Sequence, residues 1–227
     1  YWIKPNTITS VNQLAIGARG DSTRRFVFGV KNATNMLFGG GSNQSENKAH
    51  GMSVGNWYHW VITYSGNAGG GSEQYVRAYR NGEAVVIAND DTTGGAYAHH
   101  SRAWASAGTE ANSVPVLYFG ARNGQGTSDK WFDCNLTDIA IFNEMKDTAV
   151  GDYNAVNSDV AGPVPSFVTY AYNGGKLKNL KDESGLVGYW RFNNNTLDSS
   201  GNDNHGRLAV TGNQGTDLPF FTNDIPK

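Results

Sequence analysis

Short apolar runs of strand length, separated by loops rich in glycine and asparagine, make up most of the sequence. Glycine accounts for 29 of the 227 residues, well above its usual share in globular domains. The clearest example is Tyr75–Arg80 and Glu83–Ala88 around Asn81-Gly82. Because Asn-Gly readily takes the positive φ angles of a two-residue type I′ turn, these runs predict a β-hairpin. The pattern as a whole predicts an all-β sandwich or jelly roll.

Further strands are predicted where aromatic and β-branched residues cluster or alternate. In one of them the alternation places Asp138 on a face that we expect to be wet. The runs are Arg24–Val30, Trp57–Tyr64, Val116–Ala121, Leu136–Phe142 and Leu186–Phe192.

One short amphipathic helix is predicted over Glu144–Val156, because apolar residues recur there every four positions among charged ones. After it, Gly162-Pro163-Val164-Pro165 interrupts the chain. We therefore divide the sequence into the main part of the sandwich, residues 1–160, a linker or extension, residues 161–185, and a late strand with a polar loop, residues 186–227.

Composition limits the classes of function. Charged residues are only 17% of the chain and the net charge is −2, without a basic block, so binding to nucleic acid or to anionic membranes is not expected. No apolar run is long enough to cross a membrane. The single cysteine, Cys134, excludes an internal disulfide and is expected to be a small buried hydrophobe. Because the sequence opens without Met or a signal-like segment, we expect a processed product or an excerpt of a longer chain.

Three blocks of the sequence carry a family resemblance, and together they cover most of the chain. They are a hairpin at Asn56–Tyr64 and Tyr79–Gly82, a strand pair at Leu117–Gly120 and Leu136–Phe142, and a strand and loop at Leu186–Phe192 and Asp198–Gly206. In these blocks the chain resembles the laminin-G-like domains of the concanavalin A-like lectin and glucanase family. The resemblance implies a concanavalin-like jelly-roll β-sandwich of two antiparallel sheets.

The blocks stand in an unusual order, since the family's opening strand and loop normally precede the hairpin and here come last. A circular permutant, a piece of a tandem array, and exchange of strands between subunits each explain this order. Tyr1–Pro5 resembles the middle of a family domain, so we expect its edge to be unpaired and to need a partner. That expectation favours an array or strand exchange, with the late strand closing this sandwich or belonging to a neighbouring one.

The resemblance also implies a structural calcium ion at the loop Asp198–Gly206. Ca²⁺ takes about six to eight oxygen ligands, and glycine lets backbone carbonyls turn inward beside carboxylates. The expected side-chain ligands are Asp198, Asn202, Asn204 and Asp138. The alternative is an Asx-rich turn that closes itself through local hydrogen bonds.

Carbohydrate binding is the next implication, because members of the family often bind glycans on a sheet or on rim loops. The stretch Asn89–Ser113 has no strand pattern, and loops of that length are usually functional or disordered. Its aromatic faces suit stacking on sugar rings, while its polar groups suit hydrogen bonding. The predicted glycan-binding residues are Tyr97, His99, His100, Arg102 and Trp104. The alternative is that Tyr97 and Trp104 anchor the loop and the histidines face solvent.

Signals for catalysis are weak. The same fold hosts glycoside hydrolases, which need two carboxylates flanking the bond, and no strand carries a Glu-x-Asp-x-x-Glu cluster. We therefore expect a non-catalytic, glycan-binding recognition or adhesion module of an extracellular, cell-surface or virion-surface protein, such as a repeated fibre or capsid-associated protein. Two alternatives stay open. One is a structural or decoration module that contacts neighbouring subunits as a homo-oligomer or array, and the other is a glycoside hydrolase.

Overall fold

The computed structural model describes residues 1–10, 12–18, 26–40, 43–65, 75–85, 117–120, 131–144, 146, 164–208 and 221–226. Within these ranges the chain is mostly β, with one short α-helix. The first strands are β1 (Trp2–Pro5), β2 (Gln13–Ala18), β3 (Phe26–Val30), β4 (Asn35–Gly40), β5 (Asn43–Ala49) and β6 (Tyr58–Ser65). The later strands are β7 (Tyr75–Arg80), β8 (Glu83–Val85), β9 (Leu117–Phe119), β10 (Cys134–Thr137), β11 (Ile139–Phe142) and β12 (Leu186–Trp190). The helix, α1, spans Ser166–Tyr172.

The described strands form three antiparallel sheets. One five-stranded sheet has the order β10-β1-β6-β7-β8, a second has the order β5-β4-β3-β2-β9, and β11 pairs with β12 in a two-stranded sheet. The largest hydrophobic cluster among the described residues draws buried side chains from all three sheets. These are Ile3, Ala15, Ile16, Phe28, Val30, Met36, Trp60, Ala78, Ile139 and Trp190. The two five-stranded sheets both contribute to this cluster, as the sheets of a β-sandwich do, which agrees with the all-β fold class predicted above.

The hairpin prediction is confirmed. β7 and β8 pair directly across Asn81-Gly82, and both turn residues have positive φ angles, 53° and 81°, as a type I′ turn requires. The described part of the strand after the turn is Glu83–Val85, and the remainder of the predicted run, residues 86–88, lies outside the described residues.

The N-terminal strand is not an unpaired edge, and the expectation to the contrary is wrong. β1 lies inside its sheet, with β10 on one side and β6 on the other. Ile3 points into the core and is 1% exposed. The partner that this edge was expected to need is β10 of the same chain. The late strand β12 likewise pairs with β11 of the same chain.

The described helix lies in a different segment from the predicted one. Glu144 and Lys146 form bends, and the rest of the predicted helix lies outside the described residues. α1 begins after Pro165 and ends at Tyr172, and its C-cap residue Asn173 has a left-handed φ of 50°. Its Tyr172 ring stacks on Trp2 and His59, at centroid distances of 5.9 and 6.1 Å. The segment treated as a linker therefore covers part of the outer face of the β10-β1-β6-β7-β8 sheet.

No helix within the described residues has the length and the apolar composition that a membrane span requires.

Candidate functional site

The candidate site lies where the β11–β12 pair meets the loop Asp198–Gly206. Asp138 separates β10 from β11, and its φ of 49° interrupts what the sequence predicted as one strand. Before it the chain pairs with β1, and after it the chain pairs with β12. Asp138 is therefore the turning point at which the chain passes from one sheet to another.

Asp138 is buried, at 5% exposure, so the expectation of a wet face was wrong. Its carboxylate accepts hydrogen bonds from the Tyr189 hydroxyl and, at 2.9 Å, from the Thr137 hydroxyl. The Nε atom of Arg191 lies 3.4 Å from it. A buried carboxylate needs such partners because burial otherwise disfavours its charge.

Tyr189 acts as a fixed donor to this carboxylate. Burial, and then the hydrogen bond to Asp138, raise the pKa of the Tyr189 phenol well above its ordinary value. The hydroxyl therefore stays protonated at neutral pH. The Lys178 carbonyl oxygen lies 3.1 Å away and gives the hydroxyl a second neighbour.

Asp198 organises the loop that follows β12. Its Oδ1 accepts hydrogen bonds from the backbone N–H groups of Tyr189 and Ser200, both at 2.8 Å. Its Oδ2 accepts from the Ser200 hydroxyl at 2.8 Å and from the Asn204 N–H at 3.0 Å. Burial opposes ionisation of Asp198, but these hydrogen bonds outweigh it and lower the pKa of the carboxyl.

The two loop asparagines bind back onto β12. The Nδ2 of Asn202 donates to the Leu186 carbonyl at 2.9 Å, and the Nδ2 of Asn204 donates to the Val187 carbonyl at 2.8 Å. The Trp190 indole N–H donates to the Asn204 carbonyl at 2.8 Å. The loop is thus closed by hydrogen bonds of the kind found in Asx-rich turns.

The residues predicted as calcium ligands are placed in two groups. Asp198, Asn202 and Asn204 share the loop, whereas Asp138 belongs to the network of Tyr189. The Asp198 oxygens accept four N–H and O–H donors, and the asparagine amides present Nδ2 to backbone carbonyls, so this arrangement does not fit a bound cation. Within the part of the chain that the structure describes, no group of three or more His, Cys, Asp or Glu side chains could hold a metal ion. Calcium binding stays a prediction.

An open cleft of about 380 Å³ lies beside the loop. Polar and charged residues dominate its lining, which consists of Asn179, Lys181, Arg191, Asp198, Ser199 and Gly201. Lys181 is exposed and the Arg191 side chain is 35% exposed, and these two cationic residues line the cleft together with Asp198, whose carboxylate is already hydrogen-bonded. The side chains of its lining residues thus include an ammonium, a guanidinium, an amide and a hydroxyl group.

The predicted glycan-binding residues Tyr97, His99, His100, Arg102 and Trp104 lie outside the described residues. The residues Asn179, Lys181 and Arg191 were not predicted from the sequence. Arg191 could have been singled out because it is a charged residue near the end of a predicted apolar strand. No sequence signal singled out Asn179 or Lys181, which lie in the segment treated as a linker.

Comparisons with protein-family models, with curated proteins and with solved structures find no match for this chain.

Proposed function

We propose that this chain is a non-catalytic glycan-recognition module with a laminin-G-like jelly-roll fold, part of a repeated extracellular, cell-surface or virion-surface protein. The observation that carries the proposal is the open cleft beside Asp198, whose lining residues have amide, hydroxyl and cationic side chains. Sugars present many hydroxyl groups, each of which donates and accepts hydrogen bonds. A shallow cleft lined by Asn179, Lys181, Arg191 and Ser199 offers matching partners.

The surroundings of the cleft support a fixed arrangement of these partners. Arg191 is held beside Asp138, and the Asn179 Oδ1 accepts a hydrogen bond from the Lys181 N–H at 3.1 Å. Asp198 is held by its four donors. A ligand therefore meets groups whose positions are set before it binds, which lowers the entropic cost of binding.

The buried carboxylate supports a non-catalytic role. Hydrolysis of a glycosidic bond uses two carboxyl groups that flank the substrate. Asp138 is engaged with Tyr189, Thr137 and Arg191, and Asp198 with the loop, so neither oxygen pair is free for proton transfer or nucleophilic attack.

A glycan array followed by calorimetry on the hits tests the proposal. We expect Lys181→Ala to weaken binding about tenfold, the loss that one charged hydrogen bond explains. Lys176→Ala is the matched control, because Lys176 is also an exposed lysine but does not line the cleft. Trp104→Ala tests separately whether the predicted loop residues contribute.

Each other outcome points to a different function. If no glycan binds and the protein sediments as an oligomer, the proposal is wrong and a structural or decoration module is favoured. If a bound glycan is cleaved, the chain is a hydrolase. If Lys181→Ala and Lys176→Ala bind equally well, the glycan site is elsewhere than in the cleft.

A further inference from the structure

A second polar cluster lies on the opposite side of β1 from the core. There the segment 221–226 places Asp224 against three donors from other parts of the chain. The Lys4 ammonium donates to the Asp224 carboxylate, as do the Trp57 indole N–H at 3.3 Å and the Asn135 amide at 3.0 Å. One negative charge thus meets one cation and two neutral N–H donors.

The sheet holds the three donors side by side. Lys4 and Asn135 are direct register partners of β1 and β10. Ile3 pairs with Tyr58 at the start of β6, so Trp57 comes beside Lys4 on the other side. The donors therefore come from three neighbouring chain segments, and the register fixes their spacing independently of the segment 221–226.

Neighbouring residues orient two of these three donors. Side chains alternate along a strand, so Lys4 points away from the core into which Ile3 points. Asn6 donates through its Nδ2 to Asn135 Oδ1, at 3.4 Å, and to Asp133 Oδ1, at 3.0 Å. Because Asn6 engages the oxygen of the Asn135 amide, the Asn135 Nδ2 is directed at the carboxylate.

We propose that Lys4, Trp57 and Asn135 form a binding site for a carboxylate group, which the chain's own Asp224 occupies. The side chains of Lys4 and Asp224 are 22% and 38% exposed, so a carboxylate from solvent reaches the site without unfolding of the sheet. Ion pairs with such exposure are weak and exchange readily. The incoming group is the carboxylate of an acidic sugar or of an acidic side chain. The site is separate from the cleft on β12 and does not rest on the proposed function.

The test uses the Trp57 indole N–H as a reporter in ¹H–¹⁵N spectra, assigned by comparison with Trp57→Phe. Asp224→Ala empties the site, and acetate is the first probe. We expect acetate to shift the Trp57 resonance of Asp224→Ala in a saturable way. The acetate concentration at half-saturation is expected to be at least tenfold lower for this variant than for the wild type. Sodium chloride at equal ionic strength is the control for screening.

Two further probes distinguish the source of the carboxylate. Comparing glucuronate with glucose tests whether the site binds the carboxylate of an acidic sugar. Comparing the blocked peptide Thr-Asn-Asp-Ile-Pro with its Thr-Asn-Asn-Ile-Pro form tests whether the site binds an acidic side chain. The double variant Asp224→Ala with Lys4→Met is expected to lose the saturable shift for every probe.

The proposal is overturned if folded Asp224→Ala shows no saturable shift with acetate, or if the shift survives Lys4→Met. If Asp224→Ala does not fold, Asp224→Asn replaces it, because its neutral side chain keeps the shape but cannot hold Lys4 as an ion pair. Equal acetate titrations for Asp224→Asn and the wild type then contradict the proposal.

Discussion

The hydroxyl of Tyr189 donates a hydrogen bond to the buried carboxylate of Asp138. The two residues lie on different segments, since Asp138 stands between β10 and β11 and Tyr189 lies in β12. This bond joins the late strand to the residue at which the chain changes sheets. Arg191 follows Tyr189 by two residues and also faces Asp138, so one short stretch of β12 and its extension supplies both partners.

Tyr189→Phe is expected to lower the free energy of unfolding by about 1 to 3 kcal/mol, because it leaves a buried carboxylate with one donor fewer. Urea denaturation measures the loss. Tyr170→Phe is the matched control, since the Tyr170 hydroxyl donates to Glu183 at 2.7 Å but on an exposed surface. Its change is expected within about 0.5 kcal/mol. Equal losses in the two variants would show that the hydrogen bond to Asp138 stabilises the fold no more than an exposed hydrogen bond does.

Stability is expected to decrease as the pH falls below 6.5, because His59 is buried as a neutral ring. It packs at 4.9 Å from the Trp2 ring, and its Nδ1 has no hydrogen-bond partner among the described residues. Burial lowers the pKa of His59 from 6.5 to about 2. Between those two pH values the unfolded chain binds a proton that the folded protein does not. The stability that the neutral His59 ring contributes is therefore fully present above pH 6.5 and is lost as the pH falls below it.

This one histidine is expected to lower the free energy of unfolding by up to about 1.4 kcal/mol for each pH unit. Urea denaturation between about pH 6.5 and 5, above the range in which ordinary carboxylates titrate, measures it. His59→Phe keeps an aromatic ring without the titrating group and is expected to flatten the slope. His50, whose pKa burial also lowers, contributes equally to both proteins. Identical slopes for His59→Phe and the wild type would contradict the assignment.

Asp198→Ala tests how the loop after β12 is held. The substitution removes the acceptor of four hydrogen bonds, and we expect a loss of about 3 kcal/mol or more. The described hydrogen bonds predict the same loss of melting temperature in calcium and in chelator. The calcium prediction from the sequence expects a larger loss in calcium, because a ligand that binds only the folded state stabilises it. Thermal melts in both buffers decide between them.

Gly29 is expected to tolerate no side chain. A Cβ at this position would lie 2.1 Å from the Gln13 carbonyl oxygen and 2.8 Å from the Leu14 Cα, which are backbone atoms of the neighbouring strand. Gly29→Ala must push β2 and β3 apart, at a cost of about 3 kcal/mol. Gly55→Ala is the control, because a Cβ there meets open space and the cost of about 1 kcal/mol comes from its φ of 83° alone. Similar melting temperatures for the two variants would contradict this packing.

The parts of the fold that local chemistry determines were predictable from the sequence. The Asn81-Gly82 turn is one, because two positive φ angles leave few choices of residue. Leu186–Trp190 is another, since its apolar and aromatic residues suit a buried strand. These signals depend on a few neighbouring residues and not on the rest of the chain.

The features that were missed depend on distant partners. β1 was expected to be an edge because its partner β10 lies far along the chain. Asp138 was placed on a wet face because strict alternation does not allow for a left-handed residue that ends one strand and starts another. The cleft was missed because Asn179 and Lys181 meet Asp198 and Arg191 only through the folded loop. Its chemistry is a property of the assembled structure.

The position of β1 between β6 and β10 also bears on how the protein is made. Synthesis proceeds from the N-terminus, so β1 leaves the ribosome long before β10, whose sequence comes more than a hundred residues later. During that interval one edge of β1 has no strand to pair with, and an open edge attracts other chains. The newly made protein therefore exposes this edge of β1 until β10 emerges, and a chaperone that covers Trp2–Pro5 in that period is expected to raise the yield of folded protein.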